Sequence, residues 1–295
     1  MRVDVLNARY WIPMARLKSA SLFGDDENDQ EVTKPPRVVP SERDTARRAS
    51  GAGKTISDLF LPDAVLGVKE SINCQSLEEL KTRLVAALGQ NSRETRTRNA
   101  RFVIRWFFPD GLDGIARKTW AAYRDEKILS DVLRYLYLSQ EPVMGTCVSD
   151  CLFPIELGMR VPASVFDRFL SAYYSEEPTK KTSQRLKTNL MKLGMLERSS
   201  GEDDRLASAG PTKTSLLLLT HHLFAPVGAR TVELKRILAD PFWKYLGFKG
   251  EDVVRAVFRE ADATGVFGKY IVADQLEQIT TRWTLDEFLA NKPRL

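Results

Sequence analysis

Residues 182–198, with the sequence TSQRLKTNLMKLGMLER, guide the interpretation of the whole chain. Leu186, Leu190 and Leu193 recur at positions i, i+4 and i+7, which predicts one apolar face of a helix over residues 182–193. Gly194 follows at once and predicts where that helix ends. The remaining positions of the helix carry basic and hydrogen-bonding side chains, namely Arg185, Lys187, Thr188, Asn189 and Lys192.

The residues around this helix predict a helix, a turn, a second helix and a hairpin. Pro162 precedes an apolar helical pattern that includes Phe166 and Leu170, and a polar turn follows at residues 175–178. A candidate hairpin spans residues 195–207, with an acidic tip at residues 202–204. This order is typical of a winged helix, in which the second helix enters the major groove of DNA.

The rest of the chain from residue 59 onward reads as mainly helical. Ser76 with Glu79 and Thr284 with Glu287 have the spacing of capping boxes, and Ser92 can cap a helix over residues 93–108. Apolar residues recur at helical spacing over residues 115–138, and GKYIVA at residues 268–273 predicts a strand. We therefore predict a mainly α protein with a small β component, with a helical bundle at residues 59–160 and a winged-helix-like domain with C-terminal helices at residues 161–295.

The N-terminal part differs in composition. Residues 1–23 suggest a short helical arm, and residues 24–58 an acidic, proline-rich linker or long loop with few apolar side chains to bury. No apolar run approaches the length of a membrane span, and no signal peptide is visible. Three cysteines and two adjacent histidines suit neither a disulfide framework nor a zinc site. We expect a cytoplasmic protein without a metal or cofactor.

The net charge of +5, from 44 Lys and Arg against 39 Asp and Glu, is too small to identify a partner by itself. Residues 81–130 nevertheless carry eleven basic residues against five acids, and residues 178–198 carry six against one. Such local excess is typical of nucleic-acid binding. Besides the polar residues of the helix 182–193, the candidate DNA-binding residues are Arg93, Arg96, Arg98, Arg101, Arg105, Lys180 and Lys181.

Three of these arginines, Arg98, Arg101 and Arg105, share one face of the predicted helix 93–108. They could contact backbone phosphates, pair with acids elsewhere in the protein, or face solvent. The aromatic residues of the same helix are expected in the core rather than stacked on bases.

Two short motifs resemble catalytic signatures. Residues 51–55, GAGKT, match the end of a phosphate-binding loop, but Arg48 stands where the first glycine belongs and no strand precedes the loop. Asp63, Glu79 and Lys81 mimic a magnesium-dependent nuclease signature. Glu79 is better explained as the acid of a capping box, so both motifs favour a non-catalytic interpretation.

A family resemblance rests on residues 92–98, SRETRTR, and on residues 182–197, which contain TSQRLK and LGMLE. Both stretches resemble the BrxA-type small DNA-binding proteins of bacterial BREX phage-defence systems, and the resemblance extends over residues 77–290. It implies a mostly helical DNA-binding protein without enzymatic activity, which acts beside a methyltransferase and an ATPase.

Three functions therefore stay open at the level of the sequence. The first is a non-catalytic component that binds double-stranded DNA through basic helices in a phage-defence complex. The second is a scaffold or adaptor module of the same kind of complex, since winged helices also bind proteins. The third, less favoured, is a magnesium-dependent nuclease built on Asp63, Glu79 and Lys81.

Overall fold

The fold is that of a computed structural model, which describes residues 56–174, 180–199, 203–274 and 276–295. The predicted N-terminal arm, most of the predicted linker and the GAGKT motif lie outside the described residues. The described part is mainly helical and contains two small antiparallel sheets, in agreement with the predicted fold class at that level.

The first half of the described chain consists of helices. Their bounds are α1 Leu61–Ser71, α2 Leu77–Ala87, α3 Arg93–Phe107, α4 Ile115–Tyr123, α5 Glu126–Gln140 and α6 Pro142–Thr146, with a 3₁₀ turn at Gly111–Asp113 and a π-helical turn at Cys147–Leu152.

A side-chain cap marks the start of five of the described helices. Ser76 Oγ accepts from the Glu79 amide and Ser92 Oγ from the Thr95 amide, which confirms both predicted caps. The Glu79 carboxylate accepts from the Gln75 amide instead of the Ser76 amide, so the predicted capping box is formed only in its Ser76 half.

Residues 115–138, predicted to be helical, form two helices, α4 and α5. Arg124 adopts the left-handed conformation at φ 51° and ends α4. The Asp125 carboxylate then accepts from the amides of Lys127 and Ile128 and starts α5.

The second half begins with a small sheet and two helices: β1 Arg160–Val161, α7 Ala163–Tyr173, α8 Lys180–Lys192, β2 Leu196–Glu197 and β3 Asp204–Leu206. The three strands are antiparallel in the order β1–β3–β2. Gly194 adopts φ +72° just after α8, as its place in the sequence predicts.

The C-terminal elements form a second sheet packed with helices. They are α9 Lys213–Phe224, β4 Thr231–Glu233, α10 Leu234–Ala239, α11 Phe242–Leu246, α12 Glu251–Thr264, β5 Gly268–Ala273, β6 Leu276–Thr281 and α13 Leu285–Asn291. The sheet order is β4–β6–β5. GKYIVA forms β5 as predicted, and Thr284 with Glu287 forms a complete capping box at α13.

Residues from both sides of the predicted boundary between 160 and 161 belong to one buried core. The two predicted segments therefore do not have separate cores. In the part of the chain that the structure describes, no helix has the length and apolar character to cross a bilayer.

A buried ion pair joins α5 to the second half of the protein. Arg134 donates to Asp131 Oδ1 at 2.9 Å and to the carbonyl oxygens of Leu193, Ala209 and Leu246. Both charged side chains are almost fully buried. One guanidinium therefore holds the end of α8, the loop before α9 and the end of α11 against α5.

Asp131 extends this network to α9. Its Oδ2 accepts from the amide and hydroxyl of Thr212 and from the Ser215 hydroxyl. Because Thr212 also caps α9, the same carboxylate fixes where that helix begins.

Removal of the carboxylate should destabilise the fold. In Asp131→Ala, Arg134 stays buried without its counter-ion, and we expect the free energy of unfolding to fall by about 3–5 kcal/mol. Urea denaturation measures the change. Glu78→Ala, which removes an exposed partner of Lys81, is the control and should cost less than about 1 kcal/mol. Equal losses of free energy in the two variants would contradict the prediction that the buried pair contributes more to stability than the exposed one.

His221 gives the fold a pH dependence. The ring is fully buried between Phe267 and Phe288, with ring centroids 4.6 and 4.3 Å away. Nδ1 donates to the Leu217 carbonyl, whereas Nε2 has no partner among the described residues. Burial lowers the pKa of His221 from 6.5 to about 4.

The unfolded chain binds a proton on His221 below about pH 6.5, and the folded protein only below about pH 4. The free energy of unfolding should therefore fall by about 3 kcal/mol as the pH drops through this window. His221→Leu removes the titration, so the difference in stability between this variant and the parent protein should change with pH by that amount. A difference that stays constant from pH 7 to pH 4 would contradict the prediction.

Candidate nucleic-acid interface

The α3 arginine face consists of Arg98, Arg101 and Arg105, which project from one side of the helix into solvent. Arg98 and Arg101 form no ion pair or hydrogen bond with any described residue. Arg105 lies 3.9 Å from a Glu141 oxygen, yet its side chain is 67% exposed. The three guanidinium groups are thus available to an anionic partner.

The opposite side of α3 lies in the core. Trp106 and Phe107 are almost fully buried, Phe102 stacks on Trp106 at 5.0 Å, and Trp106 Nε1 donates to Glu141. This confirms that the aromatic residues are core residues rather than a stacking platform. The core therefore holds α3 in a fixed orientation with its arginines outward.

The other two predicted arginines of α3 lie away from this face. Arg93 is exposed at the first residue of the helix. Arg96 is half-buried, its Nη1 donates to the Gln90 carbonyl at 3.3 Å, and its Nε is buried without a partner among the described residues. Arg96 is held within the protein in this conformation.

Asn189 of α8 is fully buried, contrary to its predicted contact with DNA. Its Nδ2 donates to the Ser57 carbonyl and to the Tyr137 hydroxyl, both at 2.8 Å, and its Oδ1 accepts from the Leu59 amide at 3.0 Å. The side chain thus binds the main chain of the extended segment 56–60. With both amide atoms occupied, it offers nothing to a base edge.

Two cations of α8 bind the same segment. Arg185 Nη1 donates to the Ile56 carbonyl at 3.2 Å and Lys192 Nζ donates to the Leu59 carbonyl at 2.8 Å. Ile56 and Leu59 are themselves buried. The segment brings main-chain oxygens and the Asp58 carboxylate, 3.7 Å from Arg185 Nε, to this face of α8, so Arg185 and Lys192 have partners within the protein.

The remaining predicted residues lie in two parts of α8. Lys187 and Thr188 lie in its second half, and Lys180 and Lys181 lie at its N-terminal end. Lys187 pairs with Asp204 at 2.7 Å, so that acid faces inward, contrary to the expectation of an acidic hairpin tip; Glu202 lies outside the described residues. Thr188 is half-buried. Lys180 and Lys181 are exposed at the N-terminal end of α8, followed by the exposed Gln184.

Tyr137 of α5 lies between the two predicted DNA-binding helices. Its ring packs edge-on against Trp106 of α3 at 5.1 Å, and its hydroxyl accepts from Asn189 of α8. Burial raises the pKa of Tyr137 well above its ordinary value, so the hydroxyl stays protonated. Through this residue α3 and α8 are held in one fixed arrangement.

The nuclease-like residues have separate structural partners. Asp63 Oδ2 accepts from the side-chain amides of Gln90 and Asn99. Glu79 binds Arg83 and the Gln75 amide, whereas Lys81 pairs with Glu78. Across the described ranges, no group of three His, Cys, Asp or Glu side chains is arranged to hold a metal ion.

Comparison with known proteins does not assign a family. No protein-family model and no curated protein matches the chain. One solved structure, described as magnesium ion-bound SspB, matches with a TM-score of 0.46 and 11% identity over 76% of this chain and 82% of that chain. A TM-score of this size carries no argument about fold or function.

The structural role of Asn189 can be tested by its effect on stability. Asn189→Ala leaves the Ser57 carbonyl and the Leu59 amide without partners, and we expect a loss of about 2–4 kcal/mol in the free energy of unfolding. Gln184→Ala, on the exposed side of the same helix, should change it by less than about 0.5 kcal/mol. An unchanged denaturation midpoint for Asn189→Ala would contradict the assignment.

Proposed function

We propose that this chain is a non-catalytic protein that binds double-stranded DNA, with the α3 arginine face on the phosphate backbone. The observation that carries the proposal is the exposure of these three guanidinium groups on one rigid helix. Arg98 and Arg101 have no acidic partner among the described residues. Guanidinium groups bind phosphate oxygens in bidentate geometry, so this surface suits a polyanion.

The α3 arginine face is longer than the spacing between neighbouring phosphates along the duplex axis. Seven residues separate Arg98 from Arg105, which corresponds to about 10 Å along a helix. Successive phosphates of one strand advance by about 3.4 Å along the duplex axis. The face is therefore long enough to contact more than one phosphate without any change in the helix.

The order of elements around α8 supports the same proposal. Two helices followed by a hairpin, with β1 completing the sheet, is the arrangement that we interpret as winged-helix-like. In helix-turn-helix proteins the N-terminal residues of the recognition helix contact base edges. The exposed N-terminal residues of α8 are Lys180, Lys181 and Gln184, and these replace Arg185, Asn189 and Lys192 as candidate DNA contacts.

The resemblance to BrxA-type proteins supplies the proposed setting. In that setting the chain acts in the bacterial cytoplasm as a DNA-binding part of a phage-defence complex, beside a methyltransferase and an ATPase that perform the chemistry.

An adaptor role is the second candidate. The observation in its favour is the β5–β6 hairpin, where Ile271, Val272 and Leu276 are each more than 40% exposed. Co-purification of a partner protein, together with no binding of duplex DNA at low salt, would favour the adaptor over the DNA-binding protein.

The DNA-binding proposal predicts a specific salt dependence. Fluorescence anisotropy of a labelled 30-base-pair duplex, titrated at several KCl concentrations, should give an affinity that falls steeply with salt. In the triple variant Arg98→Ala, Arg101→Ala, Arg105→Ala, the slope of log affinity against log salt should become smaller by about 3, because three counterion-releasing contacts are lost.

The matched control is Lys235→Ala with Arg236→Ala, two exposed cations of α10. This control should bind with nearly the parental slope. Salt-independent binding, or a triple variant with the parental slope, would overturn the assignment of this surface.

A further inference from the structure

The sheet β1–β3–β2 brings together two arginines that are distant in the sequence. Arg205 in the central strand β3 lies directly opposite Arg160 of β1. On its other side Arg205 lies opposite Glu197 of β2. All three side chains are exposed, whereas Val161, Leu196 and Leu206 of the same strands are buried. The outer face of this sheet is therefore charged.

Like charges directly opposite each other on neighbouring strands destabilise a sheet. Neither Arg160 nor Arg205 forms an ion pair or hydrogen bond with any described residue, and Glu197 makes no ion pair with Arg205 despite the register. Arg255 behaves differently, since its guanidinium binds Glu251, Asp252 and Glu277. Within the described ranges, Arg255 thus has three acidic partners, whereas Arg160 and Arg205 have none.

We propose that Arg160 and Arg205 form a second binding site for DNA backbone phosphate, on the outer face of the sheet and distinct from the α3 arginine face. This inference rests on the proposed function, because it takes DNA as the partner. Side chains directly opposite in an antiparallel pair have Cβ atoms about 5 Å apart. Two guanidinium groups at that spacing can bind one phosphate between them, and the phosphate removes the repulsion that the free protein bears.

Two exposed apolar residues precede Arg160 in the chain. Leu157 and Met159 are 47% and 57% exposed, although both are large and apolar. The chain is fixed here by the ladder, since the Leu206 amide donates to the Met159 carbonyl and the Gly158 amide donates to the Leu206 carbonyl. These two exposed side chains add apolar surface next to the arginine pair in the sequence.

The test uses the full-length protein and the same labelled duplex. Arg160→Ala with Arg205→Ala should reduce affinity about tenfold at about 100 mM KCl and lower the salt slope by about 1–2. Glu197→Gln should act in the opposite direction and tighten binding about two- to fivefold at low salt, because it removes the one negative charge opposite Arg205. The thermal unfolding midpoint of the double variant should not fall, since it relieves repulsion.

The outcomes separate this inference from the proposed function. If the α3 triple variant loses salt-dependent binding and the Arg160/Arg205 variant binds as the parent does, the sheet site is overturned and the DNA-binding function stands. If the parent protein binds no duplex at low salt, both proposals fall. An equal loss in the Lys235/Arg236 control overturns the sheet site as well, because net charge alone would then explain the effect.

Discussion

The buried ion pair between Asp131 and Arg134 is the contact on which the arrangement of the two halves depends. Each ion is removed from water, which costs several kcal/mol unless its hydrogen bonds are replaced. Asp131 and Arg134 replace them with the main chain and hydroxyl groups of α8, α9, α11 and the loop between β3 and α9. A shift of any of these elements would leave a charged group unsatisfied. The network therefore specifies one orientation of α5 relative to the sheet that carries Arg160 and Arg205.

Local chemistry explains which parts of the fold were predictable from the sequence. Ser76, Ser92 and Thr284 bond to amides within three residues, so the starts of α2, α3 and α13 are encoded nearby. The break between α4 and α5 was not predictable from the apolar pattern. Arg124 takes a left-handed conformation there without glycine, and no proline marks the end of α4.

Of the candidate site, the sequence predicted correctly only those side chains whose exposure follows from the helical spacing of the apolar residues. The α3 arginine face has the predicted orientation because its opposite face is strongly apolar. The basic face of α8 was assigned a role that the structure does not support, because its partner, the segment 56–60, lies about 130 residues away in sequence. Arg160 and Arg205 were missed for the same reason, since strand register brings them together. The sequence contained one indication of this site, namely an arginine next to a large apolar residue at Arg160-Val161 and again at Arg205-Leu206.

The contact between α8 and the segment 56–60 also determines which positions can vary in evolution. Arg185, Asn189 and Lys192 bind main-chain atoms, which every residue except proline presents in the same way. Ile56 and Leu59 contribute fully buried side chains, the Asp58 carboxylate lies 3.7 Å from Arg185 Nε, and Lys192 Nζ lies 5.3 Å from the centre of the Phe60 ring. Ser57 is therefore the position of this segment whose side chain matters least to the contact. A substitution at Ser57 should thus leave the contact intact, whereas substitutions at Asp58 or Phe60 remove a side-chain contact with α8.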